Sequence, residues 1–294
     1  MLNLDTQYPA LSAIVREASG LTLEAIANRA PARDYDFYDL ERLCADTRDR
    51  QVPVDNPLLR ALGDAAQIQG YLAILNEYVA RGFVRKRPSF VRHKLLVLKR
   101  SKSAPSPTGY DCLDTIMECS WGLFFADKFA KVEEERSLPG DEEKNADFWV
   151  EDGAKVLWID CLSPYPAAGR TKASLEEWIE EWARGKWKDK FSVAHARSGG
   201  IATGLAITML KTRDPNLGNG GMLDALAKLH RKRTFGDPIG QPPDQFWHDC
   251  PGLEVVWVGE PQISSTPFRP IIICEWRRPL LFPTGLPGID SQSP

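Results

Sequence analysis

No Cys-x-x-Cys pair occurs among the six cysteines, at 44, 112, 119, 161, 250 and 274, and the four histidines stand at no metal-ligand spacing from them. A structural zinc site is therefore not expected, and the thiols read as reduced and structural. The chain also lacks any run of roughly eighteen apolar residues and any basic-plus-apolar leader, so neither a membrane span nor secretion is expected. It reads as cytoplasmic. P-loop, Gly-x-Gly-x-x-Gly and Gly-x-Ser-x-Gly signatures are all missing, which removes the common nucleotide-binding and serine-hydrolase motifs. His248, Asp249 and Cys250 are merely adjacent in sequence, and adjacency does not set a thiol nucleophile against a base. A net charge of −3 and a pI near 5.9 supply no overall basic field, so any contact with nucleic acid must come from a local patch.

What is present is ordinary for a globular protein: 294 residues, 43% hydrophobic and 26% charged, enough for one large domain or two modest ones. Residues 1 to about 80 carry helical periodicity. Leu11, Ile14, Val15 and Ala18, then Leu23, Ile26 and Ala27, then Leu58 to Val79 recur at steps of three and four. From Arg81 to Lys102 there is no acidic residue, while Arg85, Lys86, Arg87, Arg92, Lys94, Lys99 and Arg100 accumulate. Phe83 and Phe90 interleave with these charges, the composition of a surface that neutralises phosphates and stacks on bases. A solvated strand pair with basic side chains facing water has the same composition.

The Ser-Ala-Pro-Ser-Pro-Thr-Gly stretch at 103–109 reads as a linker, and residues 111–130 as a helix with Glu118 at the flank of its apolar face. An acidic hairpin is expected over Glu133–Lys144, turning at Pro139-Gly140. Ser174-Leu175-Glu176-Glu177 is a capping box opening a helix whose Trp178 and Trp182 pack on the core. FSVAHA at 191–196 is expected as a strand and MLDALAKLHRKR at 222–233 as a helix, followed by the strands LEVVWVG and PIIICEW. The end of the chain, rich in Pro, Gly and Ser, is expected to be a flexible tail over 281–294.

The chemistry concentrates between Lys144 and Ser163. Two apolar runs flank Asp152-Gly153, a strong hairpin signal. With those two residues as the loop, Val150 pairs with Lys155 and Asp147 falls opposite Trp158. Asp147, Val156, Trp158 and Asp160 then share one face, with Asp147 diagonal to Asp160. Diagonal neighbours lie roughly 7–8 Å apart, close enough for two carboxylates to converge on one divalent cation. An aspartate inside the run Val156-Leu157-Trp158-Ile159-Asp160-Cys161-Leu162 requires a partner, because an ionised carboxylate is seldom buried alone.

These residues resemble the PD-(D/E)XK nuclease-like superfamily, the restriction endonucleases and their relatives. The order of a glutamate-bearing helix, a strand, Ala-Asp-Phe at 146–148 in place of Pro-Asp-Phe, and then Asp160-Cys161-Leu162 is similar to that family's pattern over residues 111–163. The departure is Leu162, which stands where the family has its lysine. Strand parity turns Lys155 to the opposite face, so Lys172 or Arg170, in the loop after the strand, is expected to reach back instead.

The resemblance implies an α/β (α+β) fold: a restriction-endonuclease-like mixed sheet flanked by helices over 108–280, preceded by a helical region with a basic connector over 1–107. It implies metal-dependent phosphodiester hydrolysis, with Asp147, Asp160 and the main-chain carbonyl of Cys161 holding Mg²⁺ or Mn²⁺. Glu118 would orient water or hold a second ion, and Lys172 or Arg170 would supply positive charge. The implied partner is nucleic acid, DNA before RNA, tracked by the 81–102 stretch. A catalytically decayed nuclease fold, acting as a nucleic-acid-binding or protein-interaction module, is the alternative that Leu162 and the abundant tryptophans favour.

Overall fold

In the computed structural model of the chain, the residues described are 3–29, 58, 70–84, 90–95, 111–153, 155–163, 175–208, 244–260 and 269–279. They divide into two compact units, Met1–Phe124 with Gln262–Arg269, and Phe125–Pro261 with Pro270–Pro294. The division falls inside a helix.

The first unit is helical, as the periodicity predicts: α1 (Leu4–Gln7), α2 (Pro9–Ser19), α3 (Leu23–Arg29), α4 (Gly70–Ala80), a π-helical turn (Val91–Leu95) and the greater part of α5 (Asp111–Lys128). Leu11, Val15, Leu23, Ile26, Leu72, Leu75 and Tyr78 are fully buried there. Side chains supply the caps that the helix starts require: Asn76 Oδ1 accepts from Ala10 and Leu11 N–H, and Asp5 accepts from Leu23 and Glu24 N–H. Phe83 and Phe90 are not base-stacking side chains on a surface. Both are buried and stack on Tyr78, at 4.8 and 6.1 Å between ring centroids. Their apolar area outweighs the basic company they keep in sequence.

The second unit is built on a mixed six-stranded sheet in sequential order: β1 (Lys131–Leu138), β2 (Asp141–Asp152), β3 (Lys155–Leu162), β4 (Thr203–Thr208), β5 (Leu253–Glu260) and β6 (Ile271–Arg277). β3–β4 and β4–β5 are parallel and the other three pairs antiparallel. Parallel neighbours need crossovers, and α6 (Leu175–Lys190) and α7 (Ser192–Arg197) lie in the first of them. The segment expected as a strand at 191–196 is thus mostly helix. Its Phe191 closes α6 and Ala194 faces the core, a helical spacing that the short apolar alternation concealed. α8 (Asp244–Asp249) precedes β5; the expected helix at 222–233 and the tail at 281–294 lie outside the described residues.

Alternation along the strands divides the core. One face packs Leu205, Ile207, Val256 and Val258 with Ile179, Ala183 and Trp187 of α6 and Phe246 and Trp247 of α8. On the other, Phe125 meets Phe148 and Trp257 at 5.6 and 5.3 Å between centroids. Buried on both faces, β4 has no exposed residue, and the acidic hairpin of β1 and β2 forms one margin of the sheet, as expected. Among the described residues no helix is long and apolar enough to cross a membrane.

Two glycines test this packing. A Cβ on Gly252, at φ +88°, would sit 2.4 Å from the Ile201 carbonyl oxygen and 2.5 Å from His195 Nδ1, whereas one on Gly153, at φ +62°, meets nothing. Gly252→Ala should therefore cost more than about 2 kcal/mol and Gly153→Ala no more than about 1 kcal/mol, measured by urea unfolding. Equal losses would contradict the close approach at Gly252.

Candidate metal and phosphate site at the β2–β3 fork

The hairpin turns one residue later than expected. Asp152 pairs with Lys155 and Phe148 with Ile159, which corrects the expected register by two residues. Gly153, the first residue after the closing Asp152–Lys155 pair, takes positive φ. The shift matters because the positions next along from Phe148 and Ile159 are Asp147 and Asp160. Each stands one residue beyond the last pair of the ladder, on its own strand.

The backbone ladder stops at that point, and Asp147 takes over. Trp158 N–H donates to Ala202 on the β4 side, so the N–H of Cys161, three positions on, points toward β2. There it meets a side chain in place of a backbone carbonyl: Asp147 Oδ2 accepts it at 2.7 Å. The half-buried Asp147 carboxylate is thereby fixed where the two strands part. Cys161's carbonyl projects from the same edge of β3 as its N–H, toward this fork.

Asp160 is fully buried, at 0% exposure, on the face covered by α6. Its charge is met from that helix. Lys186 Nζ lies 2.6 Å from Oδ2 and Lys190 Nζ 2.8 Å from Oδ1, and the two lysines are a helical turn apart, hence on one side of α6. Ile179, Ala183 and Trp187 seat the helix on the sheet and so aim this lysine side at the fork. Both contacts are ion pairs by distance only. Among the described residues, neither Asp160 oxygen receives a hydrogen bond of normal geometry. Burial pulls the Lys186 ammonium down, but Asp160 above all, then Asp147 and Cys161, outweigh it and hold its pKa above the ordinary lysine value.

Two carboxylates and a main-chain carbonyl at a strand fork are donors of the kind a hard divalent cation takes, but both Asp160 oxygens are already met by lysine ammonium groups. Among the described residues, no group of three or more His, Cys, Asp or Glu side chains is placed to hold a metal ion.

Of the other expected site residues, Glu118 and Lys94 have described side chains. Glu118 belongs to the first unit, where Lys94 Nζ donates to its Oε1 at 2.6 Å, so Lys94 is engaged by a carboxylate and is not a bare phosphate contact. Lys172, Arg170, Arg85, Lys86, Arg87, Lys99 and Arg100 lie outside the described residues, as does the side chain of Arg92. Lys186 and Lys190 were not expected at all. Their only signal is a pair of lysines four apart at the end of the helix that follows the Asp160 strand, a placement that ordinarily reads as a helix C-terminus favouring positive charge.

Coupling within the trio is measurable. Lys186→Met or Lys190→Met leaves Asp160 one counter-ion, while the double variant leaves a buried carboxylate with none. The double variant should therefore lose more stability than the two single losses added, by about 1–2 kcal/mol once the partial exposure of both lysines is discounted. Additive losses in urea unfolding would contradict a shared carboxylate. Because the folded pKa of Lys186 exceeds the ordinary lysine value of 10.5, its contribution is fully present below that value and is lost as pH rises through the folded one. The penalty of Lys186→Met should accordingly stay constant from neutral pH to about 10 and shrink above it.

Comparison of the chain with protein-family models, with curated proteins and with solved structures finds no match.

Proposed function

We propose that the chain is a metal-dependent nuclease of the restriction-endonuclease-like kind, hydrolysing phosphodiester bonds in nucleic acid. The observation that carries the reading is the fully buried Asp160. Its two oxygens each meet a lysine ammonium from the covering helix, and it lies on the strand next to the one whose Asp147 carboxylate is fixed by Cys161 N–H. The mixed sheet with helical crossovers agrees with that fold without being specific to it.

In this reading Asp147, Asp160 and the Cys161 main-chain carbonyl hold Mg²⁺ or Mn²⁺. The bound ion supplies a lowered water pKa and charge for the scissile phosphate. Lys186 takes the part that the family pattern gives to a lysine at the Leu162 position. It approaches from the helix, keeps its proton through neutral pH, and offers a fixed positive charge to the phosphate. Asp147 contributes orientation as well as charge, because its bond to Cys161 N–H locks the carboxylate to the strand.

A second reading has its own observation. The two ammonium groups already balance the two carboxylates, and no third acidic ligand joins them among the described residues. A fold so neutralised serves equally as a nucleic-acid-binding or protein-interaction module.

Incubation with plasmid, single-stranded DNA and RNA in Mn²⁺ or Mg²⁺ separates the two. Metal-dependent cleavage that falls at least about 100-fold in Asp147→Ala, Asp160→Ala and Lys186→Met is the expected result. Absence of cleavage together with absence of Mn²⁺ binding would leave the binding module.

A further inference from the structure

His195, half-buried near the end of α7, meets both backbone polar groups of one residue with a single ring nitrogen. The Ile201 nitrogen and the Ile201 carbonyl oxygen each lie 3.2 Å from its Nδ1. Nδ1 serves one of them at a time: without a proton it accepts from the N–H, and with one it donates to the oxygen. Imidazole is also the side chain that ordinarily changes charge within about pH 5–8. Protonation therefore reverses the bond between His195 and Ile201.

The surroundings confine the ring and leave one peptide room to turn. Trp187 of α6 meets the imidazole edge-on at 5.9 Å between centroids, in range of a cation–π contact with the charged form. Gly252, ahead of β5, approaches so closely that a Cβ there would lie 2.4 Å from the Ile201 oxygen and 2.6 Å from the ring Cε1, so both are held in place. The Gly200–Ile201 peptide, which carries the Ile201 N–H, hangs instead on Gly199 and Gly200, at φ +75° and +117°, where glycine moves at little steric cost. None of the charged groups on the elements packed around His195 is paired with its ring. Arg197 of α7 donates to the Gly140 carbonyl, and Lys186 and Lys190 of α6 are paired with Asp160. Ahead of β5, Asp249 takes Arg184 and Gln245, Arg278 donates to the Trp247 and Cys250 carbonyls, and burial pushes the Cys250 thiol up to about 12, which keeps it neutral.

We propose that His195 is a proton-operated latch on the entry to β4. Neutral, it holds the Gly200–Ile201 peptide through the Ile201 N–H. Protonated, it holds the Ile201 oxygen, and that peptide turns its N–H away about the glycine pair. Ala202, next in the chain, accepts from Trp158 N–H and so opens the β3–β4 pairing that runs on to Asp160 and Leu205. Acidification thus loosens the start of the ladder that seats the Asp160 strand. The latch stands independently of the nuclease reading.

An NMR titration of the full chain from about pH 8 to about pH 5 tests this. At the upper pH, proton–nitrogen correlation across the His195 ring should show Nδ1 bare and Nε2 protonated. On acidification the Ile201 amide proton should move upfield with the midpoint of the His195 ring protons. Its exchange protection, taken relative to the Leu253 amide that donates to the Cys250 carbonyl, should fall about three- to tenfold, the scale of one lost hydrogen bond. The Trp158 amide should follow with smaller amplitude, and His195→Gln should abolish both responses. The native-chain readings decide the matter even where His195→Gln does not fold. A proton already on Nδ1 at the upper pH, an Ile201 amide that ignores the His195 midpoint, or a response that persists in His195→Gln would overturn the latch.

Discussion

A carboxylate without access to water must be neutralised, and Asp160 is such a carboxylate. The requirement propagates outward. It fixes which face of α6 turns to the sheet, because Lys186 and Lys190 must reach the same group. It also makes the seating of that helix by Ile179, Ala183 and Trp187 part of the electrostatics and not only of the core. A small rotation of α6 would bury two ammonium groups against apolar side chains and strand a charge on β3.

The β2–β3 fork supplies the second half of the arrangement. Ending the ladder at Phe148 and Ile159 leaves an edge N–H on Cys161, and Asp147 satisfies it with a side chain. One bond thus completes the backbone accounting and immobilises a carboxylate beside another. The carboxylate is thus held by strands of the sheet and not by a loop, as the proposed cation site would require.

Much of this was legible in the residues. The helical N-terminal periodicity, the acidic hairpin turning at Pro139-Gly140, the strands at 253–260 and 271–277, and the placement of Asp147 and Asp160 on adjacent strands of one hairpin follow from period and turn chemistry. The hairpin register was missed because Asp152-Gly153 and Gly153-Ala154 both offer a glycine turn, and only cross-strand packing such as Trp149 against Trp158 chooses between them. Phe83 and Phe90 were misplaced because composition records charge density but not which side of a chain faces Tyr78. The lysines of α6 were invisible for a related reason. Two lysines at a helix end have an adequate local explanation in the helix dipole, and only the crossover from β3 back to β4 brings them over Asp160.

The central claim is that the fork between Asp147 and Asp160 is built to receive a divalent cation. Anomalous diffraction from a crystal soaked in Mn²⁺ tests it most directly. The account predicts a single strong anomalous peak between the two carboxylates. No peak at the fork at Mn²⁺ concentrations that saturate known carboxylate sites would contradict it.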